Sequence, residues 1–201
     1  KNFENKKVIF SVDRLDYSKG LMDRLLAFDY FLEHNPEWLE KLVFILNVVP
    51  SRDEINAYHL RKREIEEKIS TINGKYSSIS WQPIIYRYNH LPFNELLALY
   101  QVSDVALITP LRDGMNLVAK EFVASCTDQQ GVLILSEMAG AASELHEALV
   151  VMPTDIIDVS NAILRALTMP PEEQRERLQL MQKRLAEYDV IKWVSDFLDQ
   201  L

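Results

Sequence analysis

The chain has one cysteine, Cys126, which excludes an internal disulfide, and four scattered histidines, His34, His59, His90 and His146, without zinc-type spacing. A stapled secreted scaffold and a structural metal site are both disfavoured, and a reducing, cytoplasmic setting is expected. Only five glycines occur. None of them falls into G-x-G-x-x-G or the phosphate loop G-x-x-x-x-G-K-[ST], so the glycine fingerprints of dehydrogenases and phosphate-loop enzymes are missing. The longest nearly apolar run, residues 42–49, is interrupted by Asn47 and falls far short of the roughly 20 residues that span a bilayer. No membrane helix is expected. A basic surplus is lacking too: 22 Lys and Arg against 30 Asp and Glu leave a net charge of −8, which disfavours a nucleic-acid partner. Any anion site must therefore be local. The chain opens on Lys1 without a signal-peptide pattern and reads as a piece of a longer protein.

What remains is an ordinary globular composition, 48% hydrophobic and 26% charged, enough to bury a core. The length of 201 residues, with no linker-like or repetitive stretch, points to one domain over 1–201. Continuously apolar runs at 8–12, 42–49, 84–86, 105–108, 132–135 and 149–152 read as strands covered by helices on both faces. Helical patterns fill 21–35, 52–72, 92–102, 116–124, 139–145 and 155–167, with Asn73-Gly74 as the stop of the second. From Pro170-Pro171 onward only two helical segments are read. Alternating β and α implies an α/β fold with a doubly wound, Rossmann-like parallel sheet, whose ligands bind beyond the carboxyl ends of the strands.

Two loops at such ends carry chemistry. After the first strand, Arg14 and Lys19 stand five residues apart, a planar fork and a point charge that suit a diphosphate. The competing assignment pairs them with Asp13 or Asp16 at the surface. After the fourth strand runs TPLRDGMNLVAKE, Thr109 to Glu121. Gly114 permits close backbone approach, and the helix that follows offers free amides and a positive dipole end. On a helix, Asp113, Leu117 and Glu121 share one face about 12 Å long, the span of a sugar, a diphosphate and a ribose. Alternatively, Asp113 caps the helix and Glu121 pairs with a lysine. The Glu144-Leu-His146-Glu147 cluster reads as helix-end surface, Arg61 to Glu64 as a solvated face, Trp38, Trp81 and Trp193 as anchors, and Cys126 as packing.

Together with VPSR (Val49 to Arg52), INGKY (Ile72 to Tyr76) and SEMAGAA (Ser136 to Ala142), the segments RLDYSKG (Arg14 to Gly20) and Thr109 to Glu121 resemble the trehalose-6-phosphate synthases, retaining glycosyltransferases of two-domain GT-B architecture. The resemblance runs from about Val8 to Leu201. It implies a UDP-glucose donor, a glucose-6-phosphate acceptor, no metal and no cofactor. It assigns Arg14 and Lys19 to the donor diphosphate, where they stabilise the leaving group, and Arg52 to the acceptor phosphate. Asp113 contacts the transferred sugar, Gly114, Met115, Asn116, Leu117 and Val118 meet sugar and phosphate through the loop and helix amides, and Glu121 grips the ribose hydroxyls. The chain then corresponds to the C-terminal donor-binding half. The N-terminal partner domain that supplies most of the acceptor pocket lies outside it, so the domain alone is expected to be inactive. A related synthase with another acceptor, such as glycerol phosphate, would share this donor site. A non-catalytic UDP-sugar-binding regulatory subunit would keep the same residues.

Overall fold

A computed structural model of the protein describes residues 5–51 and 56–188, together with 192, 194, 195 and 198. Six strands form one parallel sheet: β1 (Lys7–Arg14), β2 (Leu42–Val49), β3 (Ile84–Tyr88), β4 (Val105–Ile108), β5 (Val132–Ser136) and β6 (Leu149–Val151). Their order is β3-β2-β1-β4-β5-β6. The chain winds outward from β1 to one edge, returns, and winds from β4 to the other. The topological switch point therefore lies between β1 and β4, and the ligand crevice of an open parallel sheet forms at such a point.

Alternate side chains of each strand enter two cores, which explains the unbroken apolar runs. Ile9, Phe44 and Leu46 face a cluster shared with α1 (Leu21–His34), α2 (Asn56–Tyr76) and α5 (Ile156–Leu167). Val8, Phe10, Val43 and Ile45 face the other cluster, covered by α3 (Phe93–Val102), α4 (Leu117–Ser125) and α6 (Pro171–Glu187). Phe44 is fully buried and packs 5.0 Å from the Phe28 ring; truncating such a side chain to Ala costs about 3–5 kcal/mol. Trp81 anchors the amino end of β2 by donating its indole N–H to the Leu42 carbonyl at 2.6 Å. Cys126 is a buried packing residue whose thiol burial pushes up to about 12. Among the described residues no helix is long and apolar enough to cross a membrane.

Two elements differ from the sequence expectation. Helix α2 does not stop at Asn73-Gly74 but continues to Tyr76. Gly74 keeps helical geometry with open space around it, and Asn73 uses its side chain to bond both backbone groups of Ile84 at 3.0 Å. The segment expected as a helix at 139–145 is a single 3₁₀ turn, Gly140–Ser143, because its amides are drawn to neighbouring loop carbonyls. Of the second C-terminal segment only 192, 194, 195 and 198 are described, all helical, while Trp193 and the start of the helix expected from 52 lie outside the described residues.

Candidate functional site

The loop leaving β1 is preorganised by its own side chains. Asp16 accepts from the Ser18 amide at 2.9 Å and hydroxyl at 2.8 Å, capping a 3₁₀ turn over Tyr17–Lys19. Gly20 then takes a left-handed φ of 62° and opens α1. A Cβ there would stand 2.5 Å from the Thr109 carbonyl oxygen, so only glycine lets the two loops meet. They are joined where they meet: the amides of Leu111 and Arg112 both donate to the Ser18 carbonyl, at 2.7 and 3.1 Å.

The loop leaving β4 is fixed from its other side. Asp113 pairs with Ala139 in an isolated parallel bridge, and the amides of Gly140 and Ala141 donate to the Asp113 and Met115 carbonyls at 2.9 and 2.7 Å. Asn116, at φ 74°, is the N-cap of α4 and accepts from the Ala119 amide. The first-turn amides of Leu117 and Val118 have no intrahelical acceptor. Met115 and Leu117 are exposed, Asn116 is buried and Val118 half-buried.

A line of alternating charge runs through the switch point. Arg24, wholly buried, donates to Asp13 at 2.9 Å, Thr109 at 3.0 Å, the Lys19 carbonyl at 3.1 Å and the Ser11 hydroxyl. The Lys19 ammonium stands 3.9 Å from Asp13 and 2.6 Å from Asp113. Burial pushes the Asp13 carboxyl up while the charges of Arg24 and Lys19 pull against it. Burial also acts on Asp113, but there the Lys19 hydrogen bond and charge, with the Met115 amide and the Asn116 side chain, hold the carboxyl below its ordinary range. One Lys19 N–H goes to Asp113, leaving two for an incoming anion. Arg14, at the exposed end of β1, is in the ladder opposite Val49, and no side-chain ion pair or hydrogen bond holds its guanidinium among the described residues.

Glu121 lies on the exposed face of α4, its carboxylate held by the Tyr100 hydroxyl at 3.0 Å. Burial and the Glu121 charge push the Tyr100 phenol far up, so it remains a donor. The expected single face of Asp113, Leu117 and Glu121 is only partly formed. The helix begins at Leu117, and the left-handed Asn116 together with the bridge to Ala139 places Asp113 outside its register. Asp113 is not the cap, and Glu121 has a tyrosine rather than a lysine as its partner. Arg52 lies outside the described residues. The sequence reading missed Arg24 and Tyr100, which nothing local distinguishes from other helical residues. The Glu144 to Glu147 cluster is ion-paired surface: Glu144 binds Lys120 at 2.7 Å and Glu147 binds Arg184 at 2.6 Å. Among the described residues no three potential ligands gather as a metal site.

A groove of about 450 Å³ opens between Asp113-Gly114 and the 137–140 turn. Two larger hollows, of about 620 and 610 Å³, lie against α2 and α5 and are lined by no cation. Another, of about 500 Å³, has Arg184 and Lys192 in its wall beside Glu144 and Glu187, but it lies between the 143–144 turn and the end of α6 rather than at the carboxyl ends of β1 and β4, where Lys19 and the first-turn amides of α4 offer donors to an anionic ligand. The doubly wound sheet with its crevice at the β1–β4 switch point defines a Rossmann-like domain, one half of a GT-B glycosyltransferase. The chain belongs to glycosyltransferase family 20, whose family model matches residues 1–201.

It is 52% identical over 195 residues to a bifunctional trehalose-6-phosphate synthase/phosphatase of Thermoproteus tenax, covering 97% of this chain and 27% of that protein. It is 45% identical over 199 residues to a trehalose-6-phosphate synthase of Salmonella typhimurium, covering 98% of this chain and 42% of the relative. Among solved structures, a UDP-forming α,α-trehalose-phosphate synthase of Burkholderia xenovorans in complex with glucose-6-phosphate superposes with TM-score 0.95 at 42% identity, covering 99% of this chain and 44% of the other. An E. coli protein bound with UDP-2-fluoro glucose gives the same TM-score and identity, with 98% and 44% covered. The chain thus spans about a quarter to under half the length of these relatives.

Proposed function

We propose that this chain is the donor-binding half of a trehalose-6-phosphate synthase, which moves glucose from UDP-glucose to glucose-6-phosphate with retention. The observation that carries the reading is the meeting of Lys19 and Asp113 at 2.6 Å across the switch point. One loop thereby supplies cationic donors and the other a carboxylate acceptor, at the mouth of a single crevice.

In this reading the diphosphate lies against Lys19, Arg14 and the first-turn amides of Leu117 and Val118, the glucose hydroxyls face Asp113 and the Gly114–Met115 backbone, and the ribose hydroxyls bond to Glu121. As the bond from the anomeric carbon to the β-phosphate oxygen breaks, negative charge grows on that oxygen. Fixed cations and amides stabilise it more than they stabilise the ground state. The acceptor hydroxyl attacks on the face the diphosphate leaves, and its proton passes to the departing phosphate oxygen. Asp113 is held by Lys19, Asn116 and the Met115 amide, which suits an acceptor for sugar hydroxyls better than an attacking group. No metal takes part. The acceptor phosphate is assigned to Arg52 by the resemblance, and an N-terminal GT-B domain of the same enzyme completes the acceptor pocket. The setting is cytoplasmic, without a membrane or nucleic-acid partner.

Calorimetry of this chain with UDP and UDP-glucose, with and without a chelator, tests the donor site. Metal-independent binding is expected, weaker than in the complete enzyme because the partner domain normally closes over the ligand. A strict divalent-ion requirement, or no heat at millimolar nucleotide, overturns it. Turnover of the full-length protein with glucose-6-phosphate and with glycerol phosphate decides the acceptor.

A further inference from the structure

We propose that Arg24 is a positioning residue for the donor site: it occupies the Asp13 carboxylate and the Lys19 carbonyl, and so keeps the Lys19 ammonium turned outward toward the ligand. The proposal rests on the donor-site reading of Lys19 and names what makes that lysine available.

Arg24 is an uncommon element of this core. Its side chain is fully excluded from water, whereas the Lys19 side chain keeps 13% and that of Asp113 18% of their exposure. Its guanidinium reaches both strands that flank the switch point: Ser11 and Asp13 on β1, and Thr109 directly after β4. A further N–H goes to the Lys19 backbone, which fixes the residue whose side chain faces the crevice. A planar fork can hold four acceptors at once in this way; an ammonium cannot.

Charge shows why this matters for Lys19. Asp13 is almost wholly buried, and its two nearest cations are Arg24 at 2.9 Å and Lys19 at 3.9 Å. A buried carboxylate requires a partner. With Arg24 present that partner is the guanidinium, and Lys19 is left beyond hydrogen-bonding distance of Asp13. With Arg24 removed, Lys19 is the nearest cation left, and the carboxylate draws its ammonium inward, away from the phosphoryl oxygens. The Lys19 loop also loses its backbone tether. Donor affinity therefore depends on a residue that never touches the donor.

The test uses the full-length enzyme, with UDP affinity from calorimetry and the Michaelis constants of both substrates. The parent and Lys19→Ala come first: if they bind UDP equally well, the donor-site reading fails, whatever Arg24 does. With that reading standing, Arg24→Met is expected to weaken UDP binding about tenfold or more, leaving the acceptor constant within about twofold. Adding Asp13→Asn to Arg24→Met is expected to restore UDP affinity to within about threefold of the parent, because the competitor for Lys19 is gone. Arg24→Lys, which keeps a cation on Asp13 but loses the fork, covers the case in which Arg24→Met does not fold; it is expected to weaken UDP binding severalfold. Parental UDP affinity in a folded Arg24 variant overturns the proposal. So does a double variant no tighter than Arg24→Met alone, or donor and acceptor constants rising together. Failure of every Arg24 variant to fold assigns the residue to the core alone and overturns it as well.

Discussion

Lys19 and Asp113, 94 positions apart in the chain, share a hydrogen bond of 2.6 Å in which both side chains are largely withdrawn from solvent. The pair joins the loops of two neighbouring strands and gives the cleft its polarity.

A pH dependence follows from it. The Asp113 carboxyl titrates below its ordinary value of 3.8 in the folded protein, despite burial, because Lys19, Met115 and Asn116 favour the charged form. The folded state thus binds its proton less readily than the unfolded chain does. The stability this contributes is fully present above the ordinary value and is lost as pH falls through the lower folded one. Thermal melts between about pH 5 and pH 2 are expected to fall less steeply for Asp113→Asn than for the parent. Equal slopes remove Asp113 from the linkage.

Glu121 offers a sharper binding test. Its side chain is exposed, so Glu121→Ala is expected to keep its fold, at some cost from the Tyr100 hydroxyl left without its acceptor, while binding UDP-glucose more weakly by about 1.5 to 3 kcal/mol, if both ribose hydroxyls bond to a carboxylate. Tyr100→Phe removes the hydroxyl that holds that carboxylate at 3.0 Å and is expected to cost about 1 kcal/mol of the same affinity. Overlapping titration curves for Glu121→Ala and the parent discard the ribose role.

Alanine at two glycines is expected to act in opposite directions. At Gly140 a Cβ would lie 2.1 Å from the Gly114 carbonyl oxygen, so Gly140→Ala forces the two backbones apart. It should cost about 1 to 3 kcal/mol of stability and weaken UDP binding through the displaced Gly114. Gly74, inside α2, has nothing within 4 Å of an added Cβ, and Gly74→Ala is expected to stabilise by about 0.5 to 1 kcal/mol. Urea titration of both variants checks the signs.

In the full-length enzyme, Arg14→Ala is expected on the proposed donor-site reading to weaken UDP binding and slow turnover, since a cation on the departing diphosphate acts most strongly in the transition state. Arg52→Ala is expected to raise the glucose-6-phosphate requirement and leave UDP affinity nearly unchanged. Equal loss of UDP binding in the two variants moves Arg52 into the donor clamp and reopens the acceptor.

The strands were legible in the sequence because a parallel sheet buries both faces, and runs such as 42–49 and 105–108 then carry no polar alternation. The cations of the first loop and the acidic residues of the second were legible because both follow such runs. The shape of the second loop was not: the left-handed Asn116 and the bridge from Asp113 to Ala139 arise from packing against residues more than twenty positions away. Arg24 was hidden for a related reason. In sequence it sits on α1 like any surface arginine, and only the convergence of Ser11, Asp13 and Thr109 shows that this turn of the helix faces inward.

The bonds from Gly140 and Ala141 to the Asp113 loop also bear on the order of folding. Arg24 and Asp13 are eleven positions apart and can meet as soon as the first βα unit forms, whereas the frame around Asp113 requires the chain to be made through β5 and the turn after it. During synthesis the cationic half of the cleft therefore precedes the half that orients it. Nucleotide can add stability only to chains that have passed that point, since a ligand stabilises only the form that binds it. In a limited-digestion time course, protection by UDP should consequently appear across β1 to β5 together, as one step rather than strand by strand.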